Sequence, residues 1–388
     1  MNPPPRPLLS YAFRPFFLLA GSFAVLGMLQ WALVIRGLPW PAAGNFSTVW
    51  HAHEMVVGFA GATIAGFLLT AVATWTGRPP LRGWPLAGLA LAWTFGRAGM
   101  LLAGTWPAAN VAAADLLFPV LLAVLVTREV VAARNRRNYG IAALAWVFAL
   151  LTAAFHAAAN GLLSENADAE TGRVVVNLML QLLVLLITVV GGRVVPSFTG
   201  NWLRGHGATV LPVTRPWLEV VVVPLTAAAG IAWSLVPESA VTASLCTVAG
   251  LAHAVRLAGW RGLATFREPL VLVLHGAYAF LAGGFLLLGA VGFGLPLPVS
   301  AAVHGLAVGA VGGMILAMMT RVALGHTGRP LTAAPVTVVA YVLLGLAAVA
   351  RVLGPVVPSA GALAYDLPAA LWILAFTLFL GRYWPILK

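Results

Sequence analysis

Apolar runs of 18 or more residues recur along this chain, at approximately 14–36, 50–75, 84–104, 108–128, 140–162, 172–196, 216–236, 239–258, 269–294, 298–322, 332–353 and 361–382. Each is long enough to cross roughly 30 Å of hydrocarbon as a helix. Twelve such segments joined by short connections predict an all-α polytopic membrane protein with no separate soluble domain. A soluble domain carries about 25% charged residues, whereas this chain has 8% and a mean hydropathy of +0.97. The first segment does not read as a cleaved signal peptide, because its apolar core is too long and no small-residue cleavage site follows. The single cysteine, Cys246, excludes an intramolecular disulfide and a thiolate metal cage.

The net charge of +12 does not mark a nucleic-acid partner, because its distribution follows topology. With the N-terminus inside, 18 of the 22 basic residues fall on the inner side, among them Arg6, Arg14, Arg78, Arg82, Arg128, Arg329 and Lys388. Arg36, Arg173 and Arg351 fall outside, and Arg97 lies within a segment. This is the positive-inside pattern. It places both termini in the cytoplasm, turns the acidic loop from Ser164 to Glu170 outward, and leaves membrane lipid as the partner of the basic surplus.

A repeat runs through the segments. Trp50-His51-Ala52-His53-Glu54-Met55 opens the second, which ends in Thr76-Gly77-Arg78-Pro79; the tenth holds His304-Gly305 and ends in Thr327-Gly328-Arg329-Pro330. The offset is 251 throughout, since 304 − 53 and 327 − 76 both give it, and nine of the 27 aligned positions are identical. The sixth segment shares the inner end more weakly: Arg193-Val194 and Thr199-Gly200 align with Arg321-Val322 and Thr327-Gly328. Marked segments two, six and ten divide one transmembrane domain into three four-helix repeats, roughly 1–138, 139–260 and 261–388. A pseudo-threefold arrangement of this kind resembles the heme–copper oxidase main subunit, an analogy of fold alone.

Histidines within membrane segments are costly and usually functional, and imidazole is a common ligand for iron, copper and zinc. His51, His53, His156 and His304 fall in the outer third of the predicted spans, His253 and His275 in the inner third, and His206 and His326 at inner ends. His53 and His304 are matched by the repeat, which predicts a ligand pair for a metal or a heme. His51 stands about 200° from His53 around a helix, so the two face different sites; His51 and Met55 share a face suited to copper. Hydrogen bonds to helix ends and headgroups are the bland alternative for all four. Glu54 is a candidate to orient a ligand imidazole, to carry a proton, or simply to meet the helix dipole. His275 and Tyr278, three apart on one face, either relay protons or line a pocket, or are a buried pair satisfied by neighbours. His253 and Arg256 read as snorkelling toward the inner boundary. Arg97 needs an anion, for which a heme propionate or Asp115 would serve. Arg193 and Arg321 either snorkel or share an anion site for a cofactor. Met314, Met318 and Met319 read as core before copper ligands. Catalytic roles, if any, fall to Glu54 and Tyr278.

The chain resembles the NnrS family. The blocks that carry the resemblance are Phe13-Arg14-Pro15-Phe16-Phe17, Trp50 to Met55, Gly66 to Val72, Trp75 to Pro80, Arg193 to Thr199, His275 to Tyr278, Met314 to Val322 and Leu324 to Pro330. Where that family reads Pro-Asn in the second segment, this chain has Ala73-Thr74. The resemblance implies a bacterial inner-membrane protein that contains heme, expected as heme b, and copper, and that serves nitric oxide metabolism and nitrosative-stress resistance. It marks His51, His53, His275, His304 and His326 as motif positions. An oxidoreductase of the nitric oxide reductase type, fed by quinol, is one expectation. A heme or copper carrier or sensor is the other. The absence of an adjacent His-His pair, and of a second histidine in the tenth segment, departs from a heme–copper binuclear centre.

Overall fold

The computed structural model describes residues 7–38, 47–163 and 169–388. The stretch 164–168, most of the acidic loop, and Arg6 lie outside the described residues. Twelve helices of 18 residues or more run through the described chain: α1 (Phe13–Val34), α2 (Thr48–Thr76), α3 (Trp84–Leu101), α4 (Ala108–Ala132), α5 (Tyr139–Ala159), α6 (Glu170–Gly205), α7 (Pro216–Leu235), α8 (Ala240–Gly259), α9 (Pro269–Gly292), α10 (Val299–Gly325), α11 (Pro335–Leu353) and α12 (Leu363–Leu387). No strand occurs among the described residues. Eleven of the helices are long and apolar enough to span a membrane; α3, which carries Arg97, is the exception. The protein is an all-α, multi-pass membrane protein.

Local chemistry sets the helix ends. Ser47 and Ser239 cap α2 and α8 by accepting the Trp50 and Val241 amides, and Glu268 caps α9 through the Leu270 amide. A side-chain acceptor there replaces a missing intrahelical partner. Proline occupies the first turn of α3, α7, α9 and α11, where no amide donor is needed. The Thr-Gly-Arg-Pro motif is a helix stop. Gly77 and Gly328 both turn left-handed at φ +68°, and the proline two residues later cannot continue the helix.

The three helices that share this inner-end pattern share a second feature. Each contains π-helical turns, at Glu54–Ala60 in α2, Ile187–Gly191 in α6 and Gly305–Gly312 in α10. In α2 and α10 the turns start 251 residues apart (305 − 54), the offset of the sequence repeat. In α6 the turn is displaced: 54 + 123 gives 177, ten residues before Ile187. A π turn inserts a residue and frees a carbonyl from the ladder. Two carbonyls within these turns accept from side chains of other helices. Gly58 O accepts from Trp93 Nε1 at 3.0 Å, and Thr188 O accepts from Arg256 Nη1 at 2.8 Å.

The chain divides into two compact units, Met1–Met179 with Leu380–Lys388, and Leu180–Phe379. In the first, Arg14 Nη1 donates to the carbonyls of Ile386, Leu387 and Lys388, each at 3.3 Å, which ties the end of α12 to α1. Phe13, Phe16, Phe17, Phe59 and Phe118 form its aromatic interior. Gly58 is required there, because a Cβ would lie 2.4 Å from the Phe23 ring. In the second unit Tyr278, Trp260, Phe285 and Phe376 are fully buried, and Cys246, Met314 and Met319 are core side chains.

Candidate functional site

In the first unit, five polar side chains from four helices meet in an otherwise apolar interior. His53 and Glu54 come from the start of the α2 π segment, Arg97 from α3, Asp115 from α4 and His156 from α5. All are buried, with His53 and Asp115 at 0% exposure. Asp115 is the hub. Its Oδ2 lies 2.9 Å from His156 Nε2 and 3.1 Å from His53 Nε2, and its Oδ1 accepts from Arg97 Nη2. Arg97 Nη1 donates to Glu54 Oε1, which also lies 3.1 Å from His53 Nδ1. Gly96 allows α3 to approach: a Cβ would sit 3.1 Å from the Asp115 Cα. Two carboxylates beside one guanidinium offset part of the large cost of burying charge.

Two buried atoms of this cluster lack a hydrogen-bond partner, Arg97 Nε and His53 Nε2, and the second is the one that bears a lone pair when the ring is neutral at that nitrogen. His53 Nε2 is in ion-pair range of Asp115, yet it is buried without a hydrogen-bond partner. Donor atoms of His53, Asp115 and His156 all lie within 4.8 Å of one another. Ligand bonds of about 2.0–2.2 Å put two donors on one ion at most about 4.4 Å apart. Tetrahedral angles set such donors about 3.3–3.6 Å apart, so the set closes onto a metal with a shift of up to about 1 Å. Two imidazoles and a carboxylate suit a first-row transition ion, and Glu54 on the far nitrogen of His53 orients that ring. A porphyrin does not fit at His53. Both ring nitrogens face carboxylates, and Phe155 stacks on the ring at a centroid distance of 4.0 Å.

The family model for NnrS protein matches residues 7–388. The chain belongs to the NnrS family. Membership makes it a nitric oxide-related membrane protein. No curated protein matches the chain.

Against this NnrS frame, the other sequence-predicted residues separate. His51 stacks on Trp31 at 4.5 Å, away from the cluster that takes His53. His304 lies in the second unit, at the start of α10, with Nδ1 2.6 Å from Ser300 O. His326 and Arg193 are exposed, and Arg321 lies over the Phe198 ring at 3.9 Å. Arg97 takes Asp115, the second of the two anions its position demanded, together with Glu54.

The second unit has its own polar network, and here one reading is corrected. His253 and Arg256 do not snorkel. They are 0% and 3% exposed and bonded inside the unit. Arg256 holds Glu219 through Nε and Nη2, and its Nη1 bridges Thr188 O and the Tyr278 hydroxyl, each at 2.8 Å. His275 and Tyr278 are both buried and are bonded to neighbours rather than to each other, the second of the two readings the sequence allowed. Tyr278 bonds His253 Nδ1 at 2.8 Å, and His275 Nε2 bonds the Thr199 hydroxyl at 2.8 Å. Three-residue spacing put both on α9, but the neighbouring helices supplied better partners. The donor directions follow from Thr226, whose hydroxyl donates to Val222 O. His253 Nε2–H then donates to Thr226 at 2.9 Å, and the Tyr278 O–H donates to the bare Nδ1. This closed chain reads as a satisfied buried network. The sequence reading also missed Phe155, which carries no signal beyond its place beside His156.

Proposed function

We propose that this protein binds a transition metal between His53, Asp115 and His156 and handles nitric oxide at that metal. The observation that carries the reading is the gathering of three buried donor atoms within 4.8 Å, one of them, His53 Nε2, without a hydrogen-bond partner. The metal when bound would supply nitric oxide affinity and one-electron chemistry. The protein's own part is fourfold. His53, Asp115 and His156 hold the ion. Glu54 fixes the His53 ring through Nδ1. Arg97 balances both carboxylates in a medium where an uncompensated charge is costly. The apolar walls, Phe155 among them, exclude water. Reduction of nitric oxide with electrons from quinol is the enzymatic form of this reading. A non-enzymatic carrier or sensor is the second form, favoured by the closure of the cluster, no member of which is more than 8% exposed.

The test is metal content of protein purified from metal-replete cells, for wild type, His156→Ala and Asp115→Asn, each confirmed as a monodisperse species. About one ion per chain in wild type, lost from both variants, supports the site. Equal metal in all three, or none in wild type, overturns it. Nitric oxide consumption by the loaded protein with a quinol donor then separates the enzymatic form from the carrier.

A further inference from the structure

The arginine-rich end of the first unit holds a cavity that the metal site does not use. It lies where α2 stops at Thr-Gly-Arg-Pro, between that end, the loop at 79–82 and the last turns of α4, and it measures about 200 Å³. Sites for whole drug-sized ligands run to roughly 300–1,000 Å³, so this one fits one end of a larger molecule. Leu69, Val72 and Leu125 make its apolar wall, and Arg82, Arg128 and Glu129 its polar rim. The loop is held in shape. Pro79 and Pro80 fix their own φ, and Gly83, turned left-handed at φ +66°, donates its amide to Leu9 O at 2.8 Å.

The rim carries more cation than its own carboxylate can use. Glu129 is divided between two arginines: its Oε2 takes Arg78 Nε at 2.5 Å, and its Oε1 takes Arg128 Nη2 at 2.7 Å. Arg82 pairs with no carboxylate among the described residues. Three guanidiniums against one carboxylate leave a positive surplus at the cavity mouth. Asn135 Nδ2 donates to Trp75 O at 2.8 Å, which draws the α4–α5 connection, with Arg134 and Arg136 on either side of that asparagine, against the same end of α2. Charge complementarity asks for an anion here, and the guanidinium fork matches the oxygens of a phosphate.

The cavity also lies at the depth of lipid headgroups. Trp84, two residues past Arg82, is 87% exposed, and tryptophan so placed marks the membrane–water interface. On α4, Leu117, Val120 and Val124 are exposed at helical spacing on the face that ends at Arg128. An apolar stripe thus leads from the cavity mouth into the hydrocarbon zone. We propose that this cavity is a site for an anionic phospholipid, with the phosphate between Arg82 and Arg128 and an acyl chain along Leu125 and the α4 stripe. Glu129 holds Arg128 at the rim, and Arg82 supplies the second fork. Basic pockets between membrane helices take anionic headgroups in this way. Nothing in the site depends on the His53 cluster, so the two readings fail separately.

The experiment titrates delipidated full-length protein in detergent with dioleoylphosphatidylglycerol and dioleoylphosphatidylcholine, which share their chains and differ in net charge, and reads the first bound lipid by native mass spectrometry. Wild type should bind phosphatidylglycerol at least about tenfold more tightly, the scale of two arginines beside an anionic headgroup. Arg82→Gln with Arg128→Gln should lose that preference. Arg204→Gln with Arg267→Gln removes the same charge from exposed positions outside the cavity and should keep it. Ala73→Leu, which adds bulk to the cavity wall and leaves its charge alone, should weaken phosphatidylglycerol binding. Equal wild-type affinity for the two lipids, a preference that survives loss of Arg82 and Arg128, or full-strength binding in Ala73→Leu overturns the site. A preference lost equally in both double variants overturns it too, because the charge then acts as a whole surface and not at a cavity. Inorganic phosphate is the arm for a free anion: a rise in melting temperature that depends on Arg82 and Arg128, without a preference between the lipids, assigns the cavity to soluble phosphates and overturns the lipid.

Discussion

Asp115 concentrates the polar energetics of the first unit on two oxygens. One faces the imidazoles of His53 and His156, and the other takes Arg97. Replacing it by Asn keeps the shape but removes the charge and turns half of the acceptor into a donor. Arg97 then keeps only Glu54, and the imidazoles face an amide. Breaking a buried ion pair by removing one partner costs about 3–5 kcal/mol. Asp115→Asn should lower unfolding stability in detergent by that order, read by chemical denaturation. His156→Ala removes one hydrogen-bond partner of Asp115 and leaves the Arg97 pair in place, and should cost less, about 1–3 kcal/mol. If both variants cost the same small amount, the cluster is not the hub described. Much of this site was legible in the residues. An arginine deep in an apolar segment demands an anion, and Asp115 was the nearest on the next helix. The double use of Glu54, by Arg97 and by His53, was not legible, because it depends on where the α2 π segment points two consecutive side chains.

Helix positions followed from apolar runs, because hydrocarbon thickness imposes a minimum length that few other constraints can mimic. The π turns left no mark in composition, yet they decide which carbonyls other helices can reach. Their effect is clearest at Arg256, where the α6 turn frees Thr188 O and Gly192 leaves room for the guanidinium. A Cβ on Gly192 would lie 1.9 Å from Arg256 Nη2, held on its other side by Glu219. Gly192→Ala must therefore expel the guanidinium, and the bonds to Glu219, Thr188 O and Tyr278 go with it. The expected loss is about 2–4 kcal/mol. Gly276→Ala is the control. It lies in α9, where an added Cβ would meet nothing within 4 Å, and helix propensity alone should make it neutral or stabilising by up to about 1 kcal/mol. Thermal unfolding of the two variants in one detergent separates packing at the π turn from a general glycine effect. The same turn explains why i,i+3 spacing could not decide between the two readings of Tyr278: a residue's neighbours along its helix matter less than what a carbonyl in the turn draws in from the next.

At the scale of the whole molecule, the family and the twelve helices establish a multi-pass nitric oxide-related membrane protein, and the charge pattern adds a direction. Threading the helices through a membrane predicts 17 of the 22 basic residues on one side, Arg256 being buried within its unit, and the alternative orientation would place them across the membrane. Loop arginines and lysines resist translocation far more than carboxylates do. If α3 crosses along with the eleven helices that are long and apolar enough to span, both termini fall on the arginine-rich side and the C-terminus at Lys388 should be cytoplasmic. A green fluorescent protein fusion after Lys388 should fluoresce, and alkaline phosphatase at the same point should be inactive. Alkaline phosphatase inserted at Glu165 should be active, because the loop between α5 and α6 falls on the other side. Moving the pattern should move the protein: replacing Arg134, Arg136 and Arg137 with glutamine removes three positive charges from the connection between α4 and α5, and should give a measurable minority of inverted molecules. Active phosphatase at Lys388 in the wild type would reverse the assignment. It would also move His53 and His156 to the cytoplasmic end, where nitric oxide, a neutral gas, could still reach them but where protons would arrive from the opposite side.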